Sequence, residues 1–248
     1  MPDTPHHHFD TVGSTFIEAW AMVERGQRTP FWVTANRQTA GRGRLDRPWV
    51  SEPGNLYSTY VGAPPKPAAL PLLPFMLSLA VRRAIVTHLP LHRQADAELK
   101  WPNDVLIGGA KISGVRVEQK TQPGRPSLMA IGIGVNVEHA PQSLERAVTS
   151  LAAEGSTATA GDVFQSLRHA VADGLVDLDA NPGDVLAQWS RYAIGLGETV
   201  TVDVGRERVS GTFDHLAADG SLMLRLPSGA LRALHAGDLV ISSPSAPR

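Results

Sequence analysis

Residues 97–136 run through four short segments rich in apolar and β-branched residues, AELKW, DVLI, KISGVRVEQ and LMAIGIGV, punctuated by Gly108-Gly109 and by QPGRP. Runs of this length between turn residues are strands, and four in succession predict a mostly antiparallel meander. Such a sheet must be covered, and the rest of the chain supplies candidates. STFIEAWAMVERG carries a capping box, Thr15 with Glu18 three places on, and closes on Gly26, so it predicts a helix. LLPFMLSLAVRRAIVTH is continuously apolar, as a buried helix is. Residues 143–154, 162–178 and 184–193 repeat apolar residues at three- and four-residue intervals and predict three helices over one face. PFWVTA and NLYSTYV add two strands, the second followed by a proline-rich bend.

After about Gly197 the texture changes. ETVTVDV, RERVSGTFDHL, SLMLRLP and ALRALHAGDLVI are short strands jointed at Gly205, Asp219-Gly220 and Ser228-Gly229, which predicts a small β-barrel. So few residues hold little stability alone, so the barrel is expected to dock on the first domain. The expected fold class is α+β: a tail over residues 1–12, a catalytic domain of mixed or antiparallel sheet and helices over 13–196, and a barrel over 197–248.

Composition narrows the function. A formal net charge of -1 with 19% charged residues gives no general attraction to polyanions. The chain has no cysteine, which excludes disulfides, thiolate metal sites and a cysteine nucleophile and fits a reducing compartment, so a cytoplasmic location is expected. MPDTPHHHFD lacks a basic region followed by an apolar stretch, and no apolar run reaches the roughly 18 residues of a membrane span, so neither secretion nor a membrane role is expected. His6, His7 and His8 lie in a polar, Pro-flanked stretch that is read as a disordered tail rather than a metal site.

Against this neutral background stands GRGRLDRPW, residues 41–49, with three arginines and two glycines. Gly41 and Gly43 begin a dinucleotide fingerprint, but position 46 is Asp and Pro48 blocks a following helix, so the Rossmann reading fails. Glycine gives such a loop freedom, and Arg42, Arg44 and Arg47 offer forked donors to a carboxylate or phosphate; alone, the strip reads equally as a solvated loop. KWPNDVLIGGAKISGVRVE brackets Asp104 with Lys100 and Lys111 on two strands of one hairpin, either of which reads alone as an edge-strand charge. In GIGVN, glycines allow a flat ligand close approach and Asn136 offers hydrogen bonds to a base, while a bulge is the plainer reading.

Taken together, GST, QTAGRGRLDRPW, GNLYSTYV, KWPNDVLIGGAKISGVRVE, IGIGVN and GDLVIS resemble the biotin protein ligases, from about Gly13 to the C-terminus. The resemblance implies a class II synthetase-like catalytic domain of the biotin/lipoate ligase type with an SH3-like barrel. It implies ATP and biotin as substrates, Mg²⁺, a biotinyl-5'-adenylate intermediate, and a lysine of a biotin carboxyl carrier protein as acceptor. Family members often pair through their sheets, which makes a homodimer one implied assembly. Some carry an N-terminal DNA-binding domain; only thirteen residues precede Ser14, so no DNA role is expected.

By motif position, Lys111, Arg42, Arg44 and Asp104 carry the implied catalytic roles. Ser14, Thr15, Phe16, Gln38, Gly41, Gly43 and Gly114, with Arg42, Arg44 and Lys111, fall at biotin-binding positions. Trp49, Lys100, Asn103 and Asn136, again with Arg42 and Arg44, fall at ATP-binding positions, Trp49 reading equally as a core anchor. The family usually has Asn where this chain has Phe16, so an apolar contact replaces a polar one there. A carboxylate and a phosphate about 4 Å apart repel by roughly 4 kcal/mol at an effective dielectric of about 20, which the cations offset. The attacking lysine must then lose a proton, its free pKa being about 10.4; Asp104 is the nearest motif acid, and ordering Lys100 or the metal is its other reading. Lipoate or octanoate transfer and a non-catalytic binding module are the rival functions.

Overall fold

The computed structural model describes residues 4–43, 47–121, 124, 126–141 and 147–240. Its larger sheet has seven strands in the order β1-β2-β3-β7-β6-β5-β4. These are β1 (His6–Val12), β2 (Phe31–Gln38), β3 (Leu56–Gly62), β4 (Ala97–Lys100), β5 (Asp104–Ile107), β6 (Ala110–Lys120) and β7 (Leu128–Val135). The meander β4 to β7 is antiparallel throughout, as its turn residues require.

Alternation along β7 divides the two faces. Met129, Ile131, Ile133 and Val135 join the main core, whereas Ala130 packs in a smaller cluster on the other side. Over the main core lie α2 (Leu73–Val86), α3 (Ala160–Ala180) and α4 (Pro182–Ser190). The stretch Pro67–Val86 is long and apolar enough to cross a membrane, yet 61% of its most apolar window is buried inside this core. The second face carries α1 (Thr15–Glu24), whose Phe16, Ala19, Trp20 and Met22 meet Phe31, Val33, Val61 and Ala130.

Four expectations are corrected. Residues 6–12 are no disordered tail: they form β1, parallel to β2, with His6 against the Phe164 ring at 4.5 Å and His7 edge-on to Phe31 at 5.8 Å. Imidazole has an aromatic body, so a histidine run packs where hydropathy reads polar. The α1 cap is Ser14, whose hydroxyl oxygen accepts from the Phe16 N–H, while Glu18 pairs with Arg25; Thr15 is engaged elsewhere. Residues 147–154 make turns instead of a helix (142–146 lie outside the described residues), because their backbone groups bond to neighbouring strands. The Lys111 N–H donates to Ala147 O, Thr149 N–H to Lys111 O and Leu151 N–H to Asn136 O.

The fourth correction concerns the barrel. β8 (Thr199–Val204), β9 (Glu207–Leu216), β10 (Leu222–Arg225), β11 (Leu231–Leu234) and β12 (Asp238–Val240) form an antiparallel sheet in the order β11-β10-β9-β8-β12. It resembles an SH3-like arrangement but does not close among the described residues. Closure is unnecessary because the sheet shares a core instead of enclosing one: Val202, Phe213, Leu222 and Leu239 belong to the same buried cluster as Phe75 and Trp101. The buried Trp101 indole N–H donates across the junction to Gly220 O.

Candidate active site

On its second face the large sheet loses its side chains. Gly132 and Gly134 follow Ala130 in β7, and Gly114 pairs with Gly134 from β6. Tyr57 and Asp104 extend that row on the flanking strands. Because α1 is only ten residues long, it leaves this bare row to other segments, and an open cavity forms over that end of the sheet.

One wall is a chain of hydrogen bonds. The Thr59 hydroxyl donates to Thr15 Oγ1 at 2.9 Å, and the Thr15 hydroxyl and N–H donate to Gln38 Oε1 at 3.1 and 2.9 Å. Gln38 Nε2 donates to Ser51 Oγ at 2.9 Å, and Ser51 donates to Trp49 O. Tyr57, near its base, stays a neutral phenol: burial pushes its pKa up to about 12 and Glu52 adds to the rise, against the Asn55 hydrogen bond.

Opposite stands Lys111, its Nζ 2.5 Å from Asp104 Oδ1, with the two side chains 12% and 15% exposed. A charged pair this sheltered from water is held in place by its backbone, which bonds to the 147–149 segment on both sides. The nearby Trp49 indole lies flat on the glycine pair: a Cβ on Gly134 would come within 2.7 Å of it, and one on Gly114 within 3.2 Å. Its buried Nε1–H has no partner among the described residues.

The Arg/Gly strip roofs the cavity as a small hairpin. Gly43 N–H donates to Arg47 O and Trp49 N–H to Gly41 O, so Arg42 lies across from Pro48. Gly41 is sterically required, since a Cβ there would meet Ser51 Oγ at 2.6 Å and Trp49 O at 2.7 Å. Arg47 pairs with Asp238 at 2.7 Å, so the smaller sheet contributes β12 to the roof.

Of the sequence-predicted residues, Ser14, Thr15, Phe16, Gln38, Arg42, Gly43, Trp49, Asn103, Asp104, Lys111 and Gly114 all line this cavity. Arg44 lies outside the described residues. Lys100, in register with Asp104 on β4, and Gly41, packed beneath the hairpin, are not among the lining residues. Asn136 stands behind the site, donating from Nδ2 to Thr149 O at 2.9 Å and so bracing the segment that holds Lys111. Sequence reasoning missed Arg116 and Asp238, which also line the cavity. The first is legible as a lone charge between Val115 and Val117, the second as the acid of GDLVIS.

The sequence profile of the biotin/lipoate A/B protein ligase family matches residues 17–136. A biotin–acetyl-CoA-carboxylase ligase of Paracoccus denitrificans is 34% identical over 224 residues, spanning 87% of this chain and 92% of that protein. The biotin protein ligase from Aquifex aeolicus in complex with biotin and ATP aligns with a TM-score of 0.78 and 25% identity, covering 95% of this chain and 97% of that one. That from Leishmania major in complex with biotinyl-5-AMP gives 0.63 and 27%, covering 94% and 99%. Motif order, fold and overall likeness agree, and the chain belongs to the biotin protein ligases within the biotin/lipoate A/B protein ligase family.

Proposed function

We propose that this chain is an ATP-dependent ligase that joins biotin to a lysine of a biotin carboxyl carrier domain through biotinyl-5'-adenylate. The observation that carries the reading is one cavity with two chemically distinct ends: a buried polar wall at Thr15 and Gln38, and cations at Arg42 and Lys111. The wall suits a ureido ring, whose polar groups need partners once desolvated. A plain acyl chain would leave the wall's remaining hydrogen-bonding capacity unmet, which disfavours lipoate or octanoate.

In the first step a biotin carboxylate oxygen attacks the α-phosphorus of ATP and pyrophosphate leaves. Arg42 and Lys111 offset the repulsion between the two anions, with Arg44 as the strip's further cation. For this Lys111 exchanges its bond to Asp104 for the ligand's oxygens. The freed Asp104 carboxylate then takes the proton of the incoming lysine as its amine attacks the acyl carbon and AMP departs. Trp49 covers the adenylate from the hairpin, and Lys100 and Asn136 act from behind the lining. Magnesium, which the resemblance implies, would be held by the ATP phosphates as part of the substrate and neutralise charge there. The cysteine-free composition is compatible with a cytoplasmic site of action.

Pyrophosphate release in the presence of ATP tests this reading. It should require biotin, should not be supported by lipoate or octanoate, and should be followed by biotin transfer to a carrier domain. Release that ignores biotin, or that lipoate supports equally, overturns it.

A further inference from the structure

The hairpin roof is gripped from β6 as well as from the smaller sheet, and the grip runs through a residue in the middle of an otherwise apolar strand. Arg116 faces the cavity between the inward-facing Val115 and Val117. Its cross-strand partner is Gly132, which offers no side chain. Phe16 fills that gap: a Cβ on Gly132 would stand 2.9 Å from its ring. The Arg116 guanidinium lies over the same ring, 5.0 Å from its centroid, and Nη1 donates to Gly43 O at 3.3 Å. Glu118, two residues on, holds Nη2 from the outer side at 3.6 Å.

The result is a post built upward from the sheet: glycine, phenyl ring, guanidinium, hairpin carbonyl. Its lower part, Phe16, directly follows Thr15 in the polar wall. Its upper part is the strip that carries Arg42. A guanidinium suits this place because its flat face stacks on an aromatic ring while its edge donates hydrogen bonds, which a compact ammonium cannot do together.

We infer that Arg116 is a positioning residue for the ligase reaction: stacked on Phe16, it latches the Gly43 carbonyl and holds the hairpin down over the adenylate. The inference rests on the ligase reading. It also gives Phe16 a role, because its ring supports the latch.

The test measures how long wild type and variants retain biotinyl-5'-adenylate after gel filtration, together with kcat and KM for biotin-dependent pyrophosphate release. Arg116→Leu should shorten retention about tenfold and raise the biotin KM, with a smaller fall in kcat. Arg116→Lys, which keeps a donor but not the stack, should fall between the two. Phe16→Leu should mimic Arg116→Leu, and the double variant should be no worse than Arg116→Leu alone, since both remove one post. Thermal melting checks that each variant is folded; if Arg116→Leu is not, Arg116→Lys and Phe16→Leu carry the test. Wild-type retention in the folded variants, or strictly additive losses, overturns the latch. Failure of the wild type to release pyrophosphate with biotin would instead overturn the ligase reading.

Discussion

The two faces of strand β7 differ by little more than four methylene-rich side chains, and that difference separates stability from chemistry. On one face Met129, Ile131, Ile133 and Val135 are each no more than 1% exposed and fill the core under α2 and α3. On the other, Ala130, Gly132 and Gly134 step down in size as α1 ends, which lets the Phe16 ring and the Trp49 indole seat against the strand and form part of the cavity's lining. The same backbone ladder serves both, so the strands that carry the core also position the floor of the site.

The comparison breaks most sharply at Lys111. Lys111→Ala should lower biotin-dependent pyrophosphate release per folded molecule by about 10³-fold, as loss of a preorganised charge does, beyond the destabilisation of about 3–5 kcal/mol from leaving Asp104 sheltered without its partner. An activity loss that merely tracks unfolding would contradict the division of faces. Neighbouring residues then sharpen it. Gly134→Val forces the Trp49 indole off its seat and should cost about 10²-fold in kcat/KM while the protein stays folded. Ile133→Ala should do the reverse, destabilising by about 2–5 kcal/mol in denaturant titration with near-normal activity per folded molecule.

The smallest effect comes from pH. Tyr57 titrates at about 12 in the fold against 10 for a free phenol, because burial disfavours its anion. A group raised in this way stabilises fully below about pH 10 and loses its contribution as pH climbs through about 12. Tyr57→Phe should therefore flatten the alkaline limb of a stability-against-pH curve, on top of a pH-independent loss of about 1 kcal/mol from the hydroxyl's hydrogen bond to Glu52 O.

Much of this was readable before any coordinates. Strands β2 to β7 announce themselves because β-branched runs between glycine and proline have few other fates, and the apolar length of α2 identifies a core helix. β1 escaped because three histidines look hydrophilic one residue at a time, whereas the rings of His6 and His7 pack against Phe164 and Phe31. The segment before α3 escaped because its helical spacing is overridden by bonds to Lys111 and Asn136, partners more than ten residues away in sequence. The barrel was expected from short strands jointed at glycines; the antiparallel sheet and its docking on the larger sheet's core are seen, and closure is not seen among the described residues. In the site, motif residues from distant segments converge as their order implies. What spacing cannot carry is a pairing such as Arg116 with Gly43 or Arg47 with Asp238, which exists only once two strands from different sheets and the hairpin are brought together.

The hydroxyl and amide groups from Thr59 to Trp49 form a one-way file. The hydroxyl protons of Thr59, Thr15 and Ser51 each point to the next member, so this part of the pocket presents chiefly lone pairs to a visitor. The order of these bonds thus gives the wall a polarity of its own, with acceptors open toward the cavity where Thr59 and Thr15 have already spent their protons.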